Sequence, residues 1–573
     1  EGKYWPALAL GIMDPQGTRL YAGQYLVASK QIFPFDFTIG LGNGRFGKAP
    51  LAKSDEAIKV ELFQNPREWW NDAQVFGGIE FHPTHWLSFM VEYNPIKYEA
   101  QTQDPARNRY FKDPVPSKIN FGMRVKPFDW AQLDLSYQRG NQFGANLALC
   151  FNLDNQLIPI FDMPYKEQEQ YRYNPLAERI SRGLYLSGFR DIGVKISGSE
   201  IRVQAANVRY FYNMKAMGVL LKVLDQILPS EIQKIQVVLT ERGIPMISFS
   251  TLRDDLRGFQ TEVFKVPDFV SLSRLQTNVY STLDTKILHR RYFDYGIKPE
   301  FQTFLNDPSG FFKGRAGVAA WVSLQPWKGA NFTVGAEAYA WNDISSSVPA
   351  FPDPVRSDIV SYLEKDVAIS NVMFEQILKT RYEIYGKVAA GLLEIEYAGL
   401  DAEMATPLLG GRILAGVGGS LVKKRDPGNP FKLTNNDWDD NYKTAFFNTR
   451  VNLQELEMYV DVKAGRFLAG DKGARITVTK SFLNGVQLAA WYSFTDTSIF
   501  SDQYNNGYHD KGISLSIPLR FFLGRDSRTL YTYFISPWTR DVAQDIGHRT
   551  SLFDFIGRNT MKYVEKDGSL MQQ

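Results

Sequence analysis

Apolar and polar residues alternate with a period of two over most of this chain. Leu87, Phe89, Val91 and Tyr93 alternate with Ser88, Met90 and Glu92. Ile119, Phe121, Met123 and Val125 alternate with Asn120, Gly122, Arg124 and Lys126, and Leu133, Leu135 and Tyr137 with Gln132, Asp134 and Ser136. That period belongs to strands with one apolar and one wet face. Short turns punctuate the alternation: Phe33-Pro34-Phe35-Asp36, His82-Pro83-Thr84-His85-Trp86, Lys126-Pro127-Phe128-Asp129-Trp130, Gln325-Pro326-Trp327-Lys328-Gly329 and Thr406-Pro407-Leu408-Leu409-Gly410. Proline locks φ and brings no N–H to a ladder, so it suits a tight turn and not a strand interior. The alternate connections, such as 43–74 and 94–117, are long and polar. Short turns at one end and long loops at the other predict a mainly β protein, an antiparallel transmembrane β-barrel of the outer-membrane type.

The pattern divides the chain into three parts. An N-terminal β-barrel lobe, 1–160, should hold about eight strands near 5–12, 20–32, 35–42, 76–81, 86–93, 118–126, 131–138 and 143–152. A small inserted α/β domain, 161–290, reads as αββαββ. It has helical spacing at 177–189 and at 214–228, Asn213 as a cap, Pro229 as a stop, and hairpins at 192–206 and 235–251. Met217, Leu220, Leu221 and Leu224 make a stripe too short to span a bilayer, so it belongs to a core. A larger C-terminal lobe, 291–573, should hold twelve to fourteen strands, one of them at 355–363, with long loops at 342–354, 424–444 and 496–510. Because every proline turn falls at one end, the inserted domain is expected on the periplasmic side.

Composition narrows the class. Aromatics make up 14% of the 573 residues, a load that suits interfacial girdles. Mean hydropathy is −0.27, and no run reaches the ~20 apolar residues of a spanning helix. A net charge of +3 argues against nucleic acid as partner. Cys150 is the only cysteine, which excludes an intrachain disulfide. The chain opens at Glu1 and enters a strand within a few residues, as a mature exported chain without its signal peptide would.

Several stretches are similar to the YjbH/GfcD family of exopolysaccharide- and capsule-associated outer-membrane proteins. They are Trp5-Pro6-Ala7-Leu8-Ala9-Leu10-Gly11, the run from Gly17 to Lys30, Phe35-Asp36-Phe37-Thr38-Ile39-Gly40-Leu41-Gly42, and 391–399. The strongest is Ala464-Gly465-Arg466-Phe467-Leu468-Ala469-Gly470-Asp471-Lys472-Gly473-Ala474, followed by Asn484-Gly485-Val486 and Thr539-Arg540-Asp541. The resemblance spans the chain. It implies a protein in the outer membrane of a Gram-negative bacterium that assists export or surface assembly of a polysaccharide, and it brings no catalytic residues. The tail 565–573 departs from barrel habit, being polar and without a terminal aromatic.

Candidate chemistry is sparse. Gly42-Asn43-Gly44-Arg45-Phe46-Gly47 fits G-x-G-x-x-G but runs into Lys48-Ala49-Pro50, where a phosphate site needs a helix. Glu80, His82 and His85 read as an interfacial turn rather than a metal centre. His509-Asp510 beside Ser514 and Ser516 are what a barrel hydrolase would use. No catalytic, cofactor or metal residues are assigned, and no cofactor is expected. Inward charges should be Glu92, Arg124, Lys126 and Asp134 in the first lobe, pairing to fill a closed interior. In the second, Glu337, Asp461, Lys463, Arg475 and Arg520 should line the lumen, with Trp321, Trp341 and Trp491 as sugar platforms. The preferred reading is non-enzymatic, with outer-membrane lipid, a polysaccharide and other export proteins as partners. A single large-barrel porin or translocon and a barrel hydrolase acting on glycan or lipid are the alternatives.

Overall fold

The computed structural model describes residues 5–14, 21–52, 59–102, 107, 111–150, 156–307, 310–346, 350–351, 353–434, 442–502, 504–536 and 539–572. The chain forms two compact units, Glu1–Asn152 and Leu153–Gln573.

The first unit is one antiparallel sheet in sequence order. Its strands are β1 (Ala7–Met13), β2 (Gly23–Ile32), β3 (Phe35–Gly42), β4 (Gln74–Thr84), β5 (Leu87–Tyr93), β6 (Ile119–Phe128), β7 (Ala131–Gln138) and β8 (Gln142–Leu149). The expected strand ends at Leu20 and 151–152, and motif residues 17–19, lie outside the described residues. Register aligns Ile79, Val91, Phe121, Tyr137 and Phe143 in one apolar row across β4 to β8. The opposite face carries small residues: Gly78 faces Glu92, and Ser136 stands between Gly122 and Gly144. Among the described residues no ladder joins β1 to β8. On the face of Arg124 and Asp134 lies a cavity of about 320 Å³, lined by residues between Met90 and Asn146. Arg124 does pair with Asp134 at 2.8 Å and with Glu80 at 3.4 Å, but Glu92 and Lys126 stay exposed. Pro83 and Pro127 lie inside β4 and β6, not in the turns. The register slips beside each, between Phe81 and Thr84 and between Val125 and Phe128, which spares the ladder a missing donor.

The second unit opens with helices and a mixed sheet. In order come α1 (Leu176–Leu186), β9 (Phe189–Ser197), β10 (Glu200–Asn207), α2 (Asn213–Ile227), β11 (Lys234–Glu241) and β12 (Ile244–Leu252). Then follow α3 (Arg253–Gln260), α4 (Val266–Leu272), β13 (Arg274–Gln276) and β14 (Ile287–Leu288). The sheet order is β13-β12-β11-β10-β9-β14, with β10 and β11 parallel across α2. The stripe of Met217, Leu220, Leu221 and Leu224 is fully buried against it. Asn213 does not cap α2. It is the first helical residue, and its side-chain amide donates to Asn559 at 2.6 Å.

Thirteen antiparallel strands follow in sequence order. They are β15 (Phe293–Asp307), β16 (Gly310–Leu324), β17 (Ala330–Asn342), β18 (Val367–Lys379), β19 (Tyr385–Leu392), β20 (Tyr397–Leu408) and β21 (Ile413–Lys424). The rest are β22 (Tyr442–Leu453), β23 (Met458–Arg466), β24 (Lys472–Ser481), β25 (Gln487–Thr495), β26 (Lys511–Pro518) and β27 (Leu530–Ile535). The segment 355–363, expected to be a strand, is a loop ending in the helical turn Val360–Leu363. β18 is the strand the alternation hides. Met373, Glu375 and Ile377 are buried on one face while Val372 and Phe374 lie on the other, so apolar residues occupy both.

The sheet curls until its edges meet. Tyr531 Oη donates to the Phe301 carbonyl at 2.6 Å, Tyr533 bonds Thr303, and the Phe301 and Tyr533 rings are 6.3 Å apart. The result is a nearly closed barrel-like sheet sealed by side chains instead of a ladder. The two antiparallel sheets keep separate ladders among the described residues, so the pairing across the middle of the chain that a single large barrel requires is not present.

The mixed sheet docks on the proline-turn end. Gly329 N–H donates to the Arg242 carbonyl at 2.8 Å, Lys379 reaches the Pro245 and Thr277 carbonyls at 3.0 Å, and Arg528 pairs with Glu241 at 2.7 Å. One apolar core runs from α2 and β9–β12 into Ile377, Tyr385, Ala405 and Leu414 of the curled sheet.

Candidate functional site

The inner face of the curled sheet is polar because the pleat sends alternate side chains to opposite faces. On β19 to β25 the inward set includes Lys387, Asp401, Glu403, Arg450, Asp461, Lys463 and Arg475. These residues do not line an open pore. The chain continues past β27 and threads its last residues through the lumen.

Anchors mark the path. At the long-loop end the Asp541 carboxylate accepts the Val355, Arg356 and Ser357 N–H groups at 3.0, 2.7 and 2.8 Å. Deeper, Ala543 N–H donates to Asp471 at 2.8 Å, and the Ala543 carbonyl accepts from Arg475. Asp545 pairs with Lys463, and Lys387 donates to the Thr550 carbonyl at 2.7 Å. Arg450 meets Asp554 at 3.0 Å. The helices α5 (Leu552–Ile556) and α6 (Met561–Asp567) follow, and Arg558 bonds Glu457 at 2.8 Å. The tail ends on α2, where Lys222 donates to the Gln572 carbonyl at 3.2 Å. Gly218 permits that approach, since a Cβ there would lie 2.0 Å from the Met571 carbonyl oxygen.

His548 of this plug meets three carboxylates. Its Nδ1 lies 3.2 Å from Asp401 and 3.3 Å from Glu403, and its Nε2 is 3.5 Å from Asp545. The ligand atoms of Asp401, Glu403 and His548 sit close enough for a cation. Lys387 Nζ, however, is 3.0 Å from the same two carboxylates and supplies that charge. Burial works to lower the His548 pKa, but hydrogen bonds to Asp401 and Asp545, with their charges, outweigh it and push it up to about 10. Burial likewise works to raise the Asp545 carboxyl, and Lys463 and His548 hold it well below the usual range.

A histidine raised above its ordinary 6.5 stabilises the plug fully below that pH and loses the contribution as pH rises through about 10. The lowered Asp545 contributes above its ordinary 3.8 and loses that as pH falls. Protease protection of 541–572 should therefore hold at pH 6 and decay toward pH 10.5. In a His548→Gln chain that decay should flatten.

The expected lumen residues divide. Glu337 takes a hydrogen bond from Tyr339 at 2.7 Å and lies 3.5 Å from Arg315. Asp461 is gripped by Arg450 at 2.6 and 2.9 Å. Arg475 and the Trp491 indole N–H share Asp510, at 2.7 and 3.0 Å. Trp321 faces Arg549 of the plug, 5.7 Å from its ring. Two fall elsewhere. A register slip in β17 sets Trp341 opposite Ala316, which turns it to the outer face, 42% exposed. Arg520 lies beyond the end of β26 in the helical turn Arg520–Leu523. There it sits 3.3 Å from Asp526 and 5.5 Å from the Phe211 ring, at the seam with the mixed sheet.

His509 rests against Tyr492 and Phe494 with Nδ1 3.1 Å from the Ser493 carbonyl, while Ser516 Oγ bonds Thr532 at 2.8 Å. No Ser–His pair forms there. His82 meets Ser88 at 3.0 Å and Glu80 only at 3.8 Å. Sequence reading missed the plug. Its signal is the loss of alternation after Ile535 followed by Leu552, Phe553, Phe555 and Ile556 at helical spacing.

A family model described as YjbH, exopolysaccharide biosynthesis protein YbjH, matches residues 1–558. A protein of Escherichia coli (strain K12) called uncharacterized lipoprotein YjbH is 26% identical over 602 residues, spanning 98% of this chain and 84% of that protein.

Proposed function

The chain belongs to the YjbH family, named for exopolysaccharide biosynthesis, and on that premise we propose that it is a two-lobed outer-membrane β-barrel protein. Its role is to assist export or surface assembly of an exopolysaccharide or capsular polysaccharide, without catalysing a reaction. The observation that carries this reading is the division of faces on the thirteen-stranded sheet. Val322, Val334, Val388, Leu400, Val417 and Phe447 point outward, 43–57% exposed, while Arg315, Lys387, Asp401, Glu403 and Arg450 of the same strands point inward. An apolar band of that extent is a liability in water and an asset in lipid, where an outward Arg or Lys costs ~2–4 kcal/mol at the midplane.

The occupied lumen favours a docking and assembly role over an open conduit. The mixed sheet then faces the periplasm and receives other export proteins, and the long loops face outward. The lipoprotein name of the Escherichia coli relative fits a Gram-negative envelope location.

Two measurements test this. The protein should stay with outer-membrane fractions through a carbonate wash, and deleting its gene should lower surface polymer while intracellular polymer persists. A chain released by carbonate, or unchanged surface polymer, overturns the reading.

A further inference from the structure

Between the mixed sheet, the proline-turn end of the curled sheet and the plug lies a chamber of about 520 Å³. It falls in the size range of small-molecule sites. Five arginines line it: Arg242, Arg450, Arg528, Arg549 and Arg558. Four are already matched. Arg242 pairs with Glu375, Arg450 with Asp461 and Asp554, Arg528 with Glu241, and Arg558 with Glu457 and Asp567. Arg549 is the exception: among the described residues no ion pair with a carboxylate holds it, it lines the chamber, and the residue as a whole is exposed. Beside it stands Trp321, and the remaining wall offers Asn452, Gln487, Ser516 and Tyr459.

We propose that this chamber binds the carboxylate of an acidic sugar, with Arg549 as its principal partner. The inference rests on the export reading and names the class of polymer unit the protein handles. One unmatched guanidinium calls for one negative charge, which fits a uronate carboxylate better than a dianionic phosphate. The guanidinium fork matches a carboxylate in two parallel hydrogen bonds. Amide and hydroxyl side chains of the wall, Asn452, Gln487 and Ser516, serve sugar hydroxyls. A route in is also basic. Arg242 lines both this chamber and a cleft of about 170 Å³ at the seam, where Arg290, Arg291, Lys328 and Trp327 are its neighbours.

The test is calorimetric titration of the purified full chain in detergent micelles with trigalacturonate, maltotriose and glucose 6-phosphate. Trigalacturonate should bind saturably, with maltotriose and glucose 6-phosphate much weaker. Arg549→Gln should weaken trigalacturonate roughly tenfold or more, the loss of a charged hydrogen-bonding partner. Arg381→Gln, at an exposed turn, should leave it unchanged. Lys328→Gln, at the entry cleft, should slow association. No binding of trigalacturonate, or equal binding by the Arg549→Gln chain, overturns the proposal. Equal binding of maltotriose overturns the choice of an acid while the export reading stands, because surface polymer in the deletion strain decides that reading separately. Tighter binding of glucose 6-phosphate overturns the carboxylate assignment.

Discussion

A chain ending at Arg540 should insert and fold in lipid and pass ions through planar bilayers, where the full chain should stay closed. The wall survives because its charges have partners on the wall itself. Lys387 keeps Asp401 and Glu403, Arg450 keeps Asp461, and Arg475 keeps Asp510. Lys463 alone of these cations loses its acid, Asp545. The cost falls on stability. Val542, Leu552, Ile556, Val564 and Met571 are at most 1% exposed. At ~1.5–3 kcal/mol for each such side chain, on the order of ten kcal/mol of burial disappears as an upper bound. Bilayer conductance and the denaturation midpoint in lipid vesicles check both halves. A truncated chain as silent as the full one would mean that the loops around Val355–Ser357 close the lumen unaided, and the plug would lose its role.

On the proposed outer-membrane reading, in which the outer face of β19 meets lipid, Val388→Arg should destabilise the protein in vesicles by ~2–4 kcal/mol. Val388 is 56% exposed, and its cross-strand neighbours are Gln376 and Ala402. On a strand facing water the same change stays within roughly ±0.5 kcal/mol. Denaturant titration in vesicles separates the two values. A small effect would remove the bilayer from the account, whatever the shape of the sheet.

The alternation alone fixed a great deal. It set the strands β1 to β8 to within a few residues, and twelve of the strands β15 to β27. A period of two needs no knowledge of distant contacts, and a slip of one residue would turn every apolar side chain to the wrong face. Helical spacing likewise located α1 and α2, since an apolar stripe repeats locally. β18 escaped because both of its faces carry apolar residues, one turned outward and the other toward the packed end of the lumen.

What only the tertiary structure decided is what fills the curled sheet. Lys463 and Arg475 read as lumen charges whether they face water or a buried segment, because the pleat sets their direction and not their partner. The plug itself shows only a polar stretch with a few apolar residues. Its place inside depends on Asp541, Asp545, His548 and Asp554 meeting groups more than a hundred residues away in several cases, and no local period encodes that. The eight-stranded sheet makes the same point from the other side. Its alternation reads as a filled barrel, yet Gly78, Gly122 and Gly144 leave room on its inner face beside Arg124 and Asp134. Strand count predicts the curvature, and the volume of the inward side chains decides whether a lumen is filled.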